Sequence, residues 1–166
     1  MPDNVYLGNP NLKKANTPIE FTEEQIIEFV QCQRDPVYFA NKYVKIVSLD
    51  EGLVPFQPYR FQEKLINNFH ENRFNICKMP RQTGKSTTVV SYLLHYAIFN
   101  DSVNIGILAN KAATARELLG RLQTAYENLP KWMQQGIMVW NKGSLELENG
   151  SKILAASTSA SAVRGM

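Results

Sequence analysis

Arg81-Gln82-Thr83-Gly84-Lys85-Ser86 stands between an apolar, strand-like run and an apolar, helix-like run. A turn ending in Gly-Lys-Ser leaves backbone N–H groups pointing inward, and the following helix presents its N-terminus to the same point. Lys85 adds a point charge, and the Ser86 hydroxyl is the residue type that ligates magnesium there. The combination predicts a cradle for a polyphosphate.

The flanks fit that reading. Upstream, Phe74-Asn75-Ile76-Cys77-Lys78-Met79 alternates apolar and polar residues over a strand length. Downstream, Thr87 to Phe99 is rich in Val, Leu, Tyr and Ile and holds no Pro or Gly. Strand, loop and helix fall in the order a P-loop needs. One position departs from the full pattern, since Met79 stands where that pattern has Gly. The plain alternative is a Lys-Ser pair opening an ordinary helix.

The chain has 166 residues, enough for one core, or for one core with an appended helical piece, and too few for a second catalytic domain. Apolar residues at 44% and charged residues at 20% describe an ordinary globular protein, and no run approaches the length of a membrane span. The start, Met1-Pro2-Asp3-Asn4, lacks the basic and apolar regions of a signal peptide, which makes the cytoplasm the expected location. Cys32 and Cys77 give neither a disulfide framework nor metal-ligand spacing. A net charge of +3 is too mild to establish a nucleic-acid partner and leaves room for a local basic patch.

Residues 1–18 carry Pro2, Gly8, Pro10 and Pro18 among Asn and Lys and read as a mobile arm. Residues 19–55 read as a small helical subdomain. Thr22-Glu23-Glu24-Gln25 has the form of a capping box, and Asp35-Pro36 is a second helix start. Ile46-Val47-Ser48-Leu49-Asp50-Glu51 imitates the strand that holds magnesium and the catalytic base in P-loop ATPases. It precedes the phosphate loop in the chain, however, and Gly52 and Pro55 make Asp50-Glu51 a turn. Residues 56–166 read as the core. Val103–Ala109 is a strand and 112–129 a helix, so alternating strands and helices predict an α/β fold with a parallel sheet. Strands at 137–140, 144–148 and 151–155 follow, the last two joined by Asn149-Gly150, a hairpin signal.

Before a helix predicted to run to about His70 stands Phe56-Gln57-Pro58-Tyr59-Arg60-Phe61-Gln62. Gln carries both a donor and an acceptor for adenine's edge, and an aromatic ring can stack on its face. That segment, the loop at 80–86, Ile107-Leu108-Ala109-Asn110-Lys111, Val139-Trp140-Asn141-Lys142-Gly143-Ser144, Asn149-Gly150-Ser151 and Ala162-Val163-Arg164-Gly165 occur in one order. The series resembles the large terminase subunit of tailed bacteriophages, of the myovirus type, from about Asp35 onward. The resemblance implies a P-loop NTPase fold of the RecA/ASCE kind. It further implies an ATPase with ATP and Mg as cofactors, which drives double-stranded viral DNA into a procapsid. In such motors the ATPase works as a ring oligomer with a portal protein and a small terminase subunit, in the infected cell and transiently at the procapsid portal.

Carried over by position, Gln62 resembles the adenine-reading Gln, with Arg60 and Gln57 as neighbours. Gln82, Thr83 and Gly84 belong to the loop, Lys85 matches the lysine on the β/γ phosphates, and Ser86 the magnesium-side hydroxyl. Thr87 neighbours the α-phosphate. Arg81 matches an arginine used in cis on the γ-phosphoryl group, where a fixed guanidinium stabilises developing charge; plain phosphate affinity is the alternative. Lys111 resembles a position that faces DNA or a neighbouring subunit, against the alternative of a solvated helix-start lysine. Arg164 resembles a coupling or γ-phosphate-sensing arginine. The resemblance also implies that an apolar residue is accepted at Met79.

The chain ends at Gly165-Met166, where that family continues into an apolar strand ending in Asp-Glu. The expectation is an N-terminal fragment without those Walker B carboxylates or a nuclease domain, inactive or very weak as an ATPase alone. A fragment of a superfamily 2 helicase-like remodeller, and a nucleotide-binding remnant without catalysis, are the alternatives.

Overall fold

A computed structural model describes residues 4–48 and 50–158. Two capped helices come first. Helix α1 (Glu23–Arg34) opens on Thr22, whose side chain accepts from the Gln25 N–H while Gln25 returns the bond to the Thr22 N–H. Helix α2 (Pro36–Tyr43) opens on Asp35, whose Oδ1 accepts the N–H groups of Val37 and Tyr38, both at 2.9 Å, with Pro36 at the first helical position. Caps of this kind stabilise a helix by about 1 kcal/mol each. Glu28 ties the two helices together, accepting Lys42 Nζ at 2.8 Å and the hydroxyls of Tyr43 and Tyr38 at 3.0 and 3.2 Å. Burial alone would raise the Glu28 pKa, but these donors hold it below the ordinary value.

Strands β1 (Lys45–Ser48) and β2 (Gly52–Pro55) then form an antiparallel pair with Asp50-Glu51 in the turn between them. The expected helical subdomain therefore includes a hairpin. Helix α3 (Arg60–Glu71) leads to an extended segment, and the phosphate-loop motif hands over to helix α4 (Lys85–Phe99). Strand β3 (Asn104–Ala109), helix α5 (Ala112–Glu127) and strands β4 (Ile137–Trp140), β5 (Ser144–Leu147) and β6 (Lys152–Ser157) complete the described chain.

The sheet order is β3-β6-β5-β4, with β3 and β6 parallel and the other two pairings antiparallel. The sheet is thus mixed, where a parallel sheet bearing one hairpin was expected. A second correction accounts for part of that difference. Phe74–Met79 is not a strand. A strand exists only where a neighbour completes its ladder of hydrogen bonds, and none of the described residues pairs with this segment. Phe74 and Ile76 stand 82% and 100% exposed as a result. Asn149-Gly150 makes the expected turn between β5 and β6, with Gly150 at φ 82°.

Helix α5 buries Ala115, Leu119, Leu122 and Tyr126 at spacings of three and four, one apolar stripe laid on Ile105, Ile107, Ile153 and Ala155 of the sheet. Each fully buried Leu or Ile contributes about 1.5–3 kcal/mol. Helix α4 packs against α2, α3 and α5, and its C-terminal carbonyls are held by the hairpin turn: Asn149 Nδ2 donates to Ala97 O at 2.9 Å and to Asn100 O at 3.1 Å, and Ser151 Oγ to Asn100 O at 2.8 Å. The segment expected as a mobile arm is docked where it is described. Leu12 is 1% exposed, Lys13 pairs with Glu148 at 3.0 Å, the Asn16 N–H donates to Glu148, and the Lys13 N–H donates to buried Gln134. Gly136 makes room for it, since a Cβ there would lie 2.5 Å from the Ala15 Cα.

His95 pins α4 to the N-terminal helices. Its ring is buried among Phe39, Tyr92 and Phe99, with Nε2 at 2.9 Å from the Cys32 carbonyl. Burial pushes its pKa from 6.5 down to about 4, with the nearby His70 adding to the fall and backbone hydrogen bonds opposing it. The unfolded chain therefore takes up this proton first as the solution is acidified. His95 stabilises the fold fully above pH 6.5, and that contribution is lost as pH falls towards 4. In urea denaturation between pH 7 and 5, His95→Phe is expected to flatten the decline in stability; an unchanged slope would show that His95 is not the group responsible.

Candidate functional site

Helices α4 and α5 both start without a side-chain cap, unlike α1 and α2, and α4 alone of the two is entered through a glycine. Gly84 precedes it in the left-handed conformation, φ 72° and ψ 15°, and Gln82 is also left-handed at φ 61°. The first ladder bond of the helix runs from the Thr88 N–H to the Gly84 carbonyl at 3.0 Å, reinforced by Thr88 Oγ1 on the same oxygen. The N–H groups of Lys85, Ser86 and Thr87 thus open the helix without intrahelical partners. Free amides and the positive end of the helix dipole make such a terminus an anion receptor.

Side chains shape the loop from within. Thr83 Oγ1 donates to the Pro80 carbonyl at 3.1 Å, and Lys85 Nζ reaches back to the Met79 carbonyl at 2.9 Å, closing the loop across its mouth. Gln62, at the third position of α3, is 3% exposed. Its Oε1 accepts the Tyr59 N–H at 2.9 Å, and its Nε2 donates to the Thr83 carbonyl over a long 3.4 Å. The base-reading residue expected from the sequence therefore has its carboxamide turned to main chain on both sides.

Arg81, Gln82 and Ser86 are exposed and Thr83, Gly84, Lys85 and Thr87 half-buried. Gln57 and Arg60 are exposed at the approach to α3. The structure brings Gln62, Thr83, Gly84 and Lys85 together; Lys111 opens α5 at the end of β3 as an exposed residue, bonded to none of them by its side chain among the described residues. Arg164 lies outside the described residues. A cavity of about 120 Å³ touches Lys85 and Ser86 but is otherwise lined by Val89, Val90, Leu93, Ile107 and Leu118, so it belongs to the apolar seam of α4 rather than to the loop.

Ser86, exposed at the start of α4, brings one hydroxyl that could ligate a magnesium ion. Among the described residues no group of three His, Cys, Asp or Glu could hold a metal by itself. That donor set fits a cation arriving with a polyphosphate, whose oxygens and water fill most of the coordination sphere.

The family model described as terminase large subunit, T4likevirus-type, N-terminal, matches residues 76–166, more than half of the chain. The chain belongs to that family. The matched stretch contains the loop, Lys111 and Arg164, while Gln57, Arg60 and Gln62 precede it. Among solved structures, the fold is similar to that of the HK97 bacteriophage large terminase, with a TM-score of 0.64 at 17% identity over 81% of this chain. The match spans 29% of the length of that solved chain. No helix among the described residues of this terminase family member is long and apolar enough to cross a membrane.

Two contributors escaped the sequence reading. Asn149 was legible as a turn residue, but its grip on the end of a helix some fifty positions away had no local signal. The capping role of Gln62 is signalled by its place three residues after Tyr59, although Tyr is not a usual cap residue. Gly84 has two reasons to be glycine: its positive φ, and a Cβ that would lie 2.4 Å from Gln62 Nε2. Gly84→Ala is expected to cost about 1–3 kcal/mol of stability, measurable by urea denaturation; an unaltered midpoint would mean the left-handed turn is not held in solution.

Proposed function

We propose that this chain is the ATP-binding, N-terminal part of a terminase large subunit, a P-loop motor of the RecA/ASCE kind that drives double-stranded viral DNA into a procapsid. The observation that carries this reading is the uncapped start of α4, entered through left-handed Gly84 with Lys85 at its first position, in a chain of the terminase family. In this reading the N–H groups of Lys85, Ser86 and Thr87 bind the β-phosphate region. The Lys85 ammonium leaves the Met79 carbonyl for the β and γ phosphates, exchanging a neutral acceptor for an oppositely charged one.

Ser86 supplies the hydroxyl ligand to magnesium, whose charge offsets that of the phosphates. Arg81, exposed in the loop, is in this reading the residue that meets the γ-phosphoryl group as charge develops there. Lys111 and Arg164 are the candidates for coupling to DNA or to a neighbouring subunit. DNA, the portal protein and the small terminase subunit are the proposed partners of the whole motor.

Titration calorimetry with Mg-ATP at low salt tests the cradle. Lys85→Ala is expected to abolish measurable binding without altering the circular dichroism of the fold. Binding of equal strength in the variant would remove the phosphate site from the account.

A further inference from the structure

We infer that the outward face of helix α1 is the contact by which two copies of this chain associate, their α1 helices lying antiparallel about a two-fold axis. The inference uses no residue of the nucleotide site proposed above. It starts from an imbalance on one helix. The inner face of α1 is accounted for: Cys32 is buried, Phe29 meets the Phe99 ring with centroids 4.9 Å apart, and Glu28 holds Lys42, Tyr38 and Tyr43. A surface helix ordinarily turns charged and polar side chains to water on the opposite face. Here that face carries Ile26, Ile27 and Val30, 53%, 71% and 36% exposed, with Phe21 just ahead of the helix at 43%. Single exposed apolar residues are ordinary, whereas a contiguous set marks a contact surface.

The charges at the ends of this face say which partner fits. Glu23, Ile27, Val30 and Arg34 follow one another at spacings of four, three and four, so they form one row along the whole twelve-residue helix. All four are exposed, and neither Glu23 nor Arg34 is in an ion pair among the described residues. The row reads acid, apolar, apolar, base. Laid antiparallel on itself it is self-complementary: Glu23 meets Arg34 of the second copy at both ends, and Ile27 meets Val30 twice at the centre. A parallel arrangement would set Glu23 on Glu23 and Arg34 on Arg34. An isologous contact of this kind closes at two copies. It is therefore a state of free chains, separate from any ring in which they work.

Two helices of this length cover less than the roughly 1,200–2,000 Å² of a stable protein interface, so the pair is weak, with a dissociation constant on the order of 100 µM. It forms in concentrated solution and comes apart on dilution.

Sedimentation equilibrium of the 166-residue chain, from about 5 to about 500 µM, tests this. The wild type is expected to pass from monomer to dimer across that range. Ile27→Asp brings two uncompensated carboxylates into the contact and is expected to weaken the dimer about tenfold or more. Glu23→Arg and Arg34→Glu each place like charges at both ends, and each alone is expected to weaken it about fivefold, since exposed pairs contribute modestly. Mixed in equal amounts, those two variants regain opposite charges at both ends, so the mixture is expected to dimerise as the wild type does. That rescue separates the contact from damage to the fold, because a misfolded chain gains nothing from mixing; circular dichroism melts check that each variant folds. A wild type that stays monomeric at about 500 µM would overturn the inference. So would a dimer that Ile27→Asp leaves intact, or a mixture that associates no better than its components, since either puts the contact on another surface or in another orientation.

Discussion

A backbone turn at one residue organises the centre of this molecule. With Gly84 at φ 72° the chain leaves an extended segment and enters α4 without a side-chain cap, so three amides remain open toward the loop. Any L-residue would be strained in that conformation, and its Cβ would lie 2.4 Å from Gln62 Nε2. Fold and site therefore share one constraint: the helix that presents the amides is also the helix around which the rest packs.

Helix α4 is held at both ends and along its length. Its C-terminal carbonyls are gripped by Asn149 and Ser151 from the β5–β6 turn, its middle by His95 on the Cys32 carbonyl, and its flank by α2, α3 and α5. The N-terminal segment runs beside the edge strand β4 and is tied in place through Glu148 and Gln134. A rigid helix with an open N-terminus suits the binding of a mobile polyanion, because the receptor amides need no reorganisation when charge arrives.

Much of this was legible from local patterns. The Thr22–Gln25 box, the Asp35-Pro36 start, the Asn149-Gly150 turn and the reach of α5 are decided by neighbours three or four residues away, and these elements form where the pattern predicts. The alternation in Phe74–Met79 describes side chains that would suit a strand, whereas strand formation also needs a partner in space, and among the described residues this segment has none. The same distinction explains the arm at 4–16, whose Pro and Gly content hid the burial of Leu12 and the anchoring of Lys13 by residues more than a hundred positions away. In the site, the loop residues were visible as a motif, while the inward set of the Gln62 carboxamide depends on the distance between α3 and the loop, which no spacing encodes.

The central claim is that the amides opening α4 receive a phosphate. Amide hydrogen exchange, resolved by residue, measures them directly in the presence and absence of a non-hydrolysable ATP analogue with magnesium. The account predicts slowed exchange at Lys85, Ser86 and Thr87, with the amides of α5 unaffected. Saturating analogue that leaves those three amides exchanging at their free rate, or that protects a different surface, would contradict it.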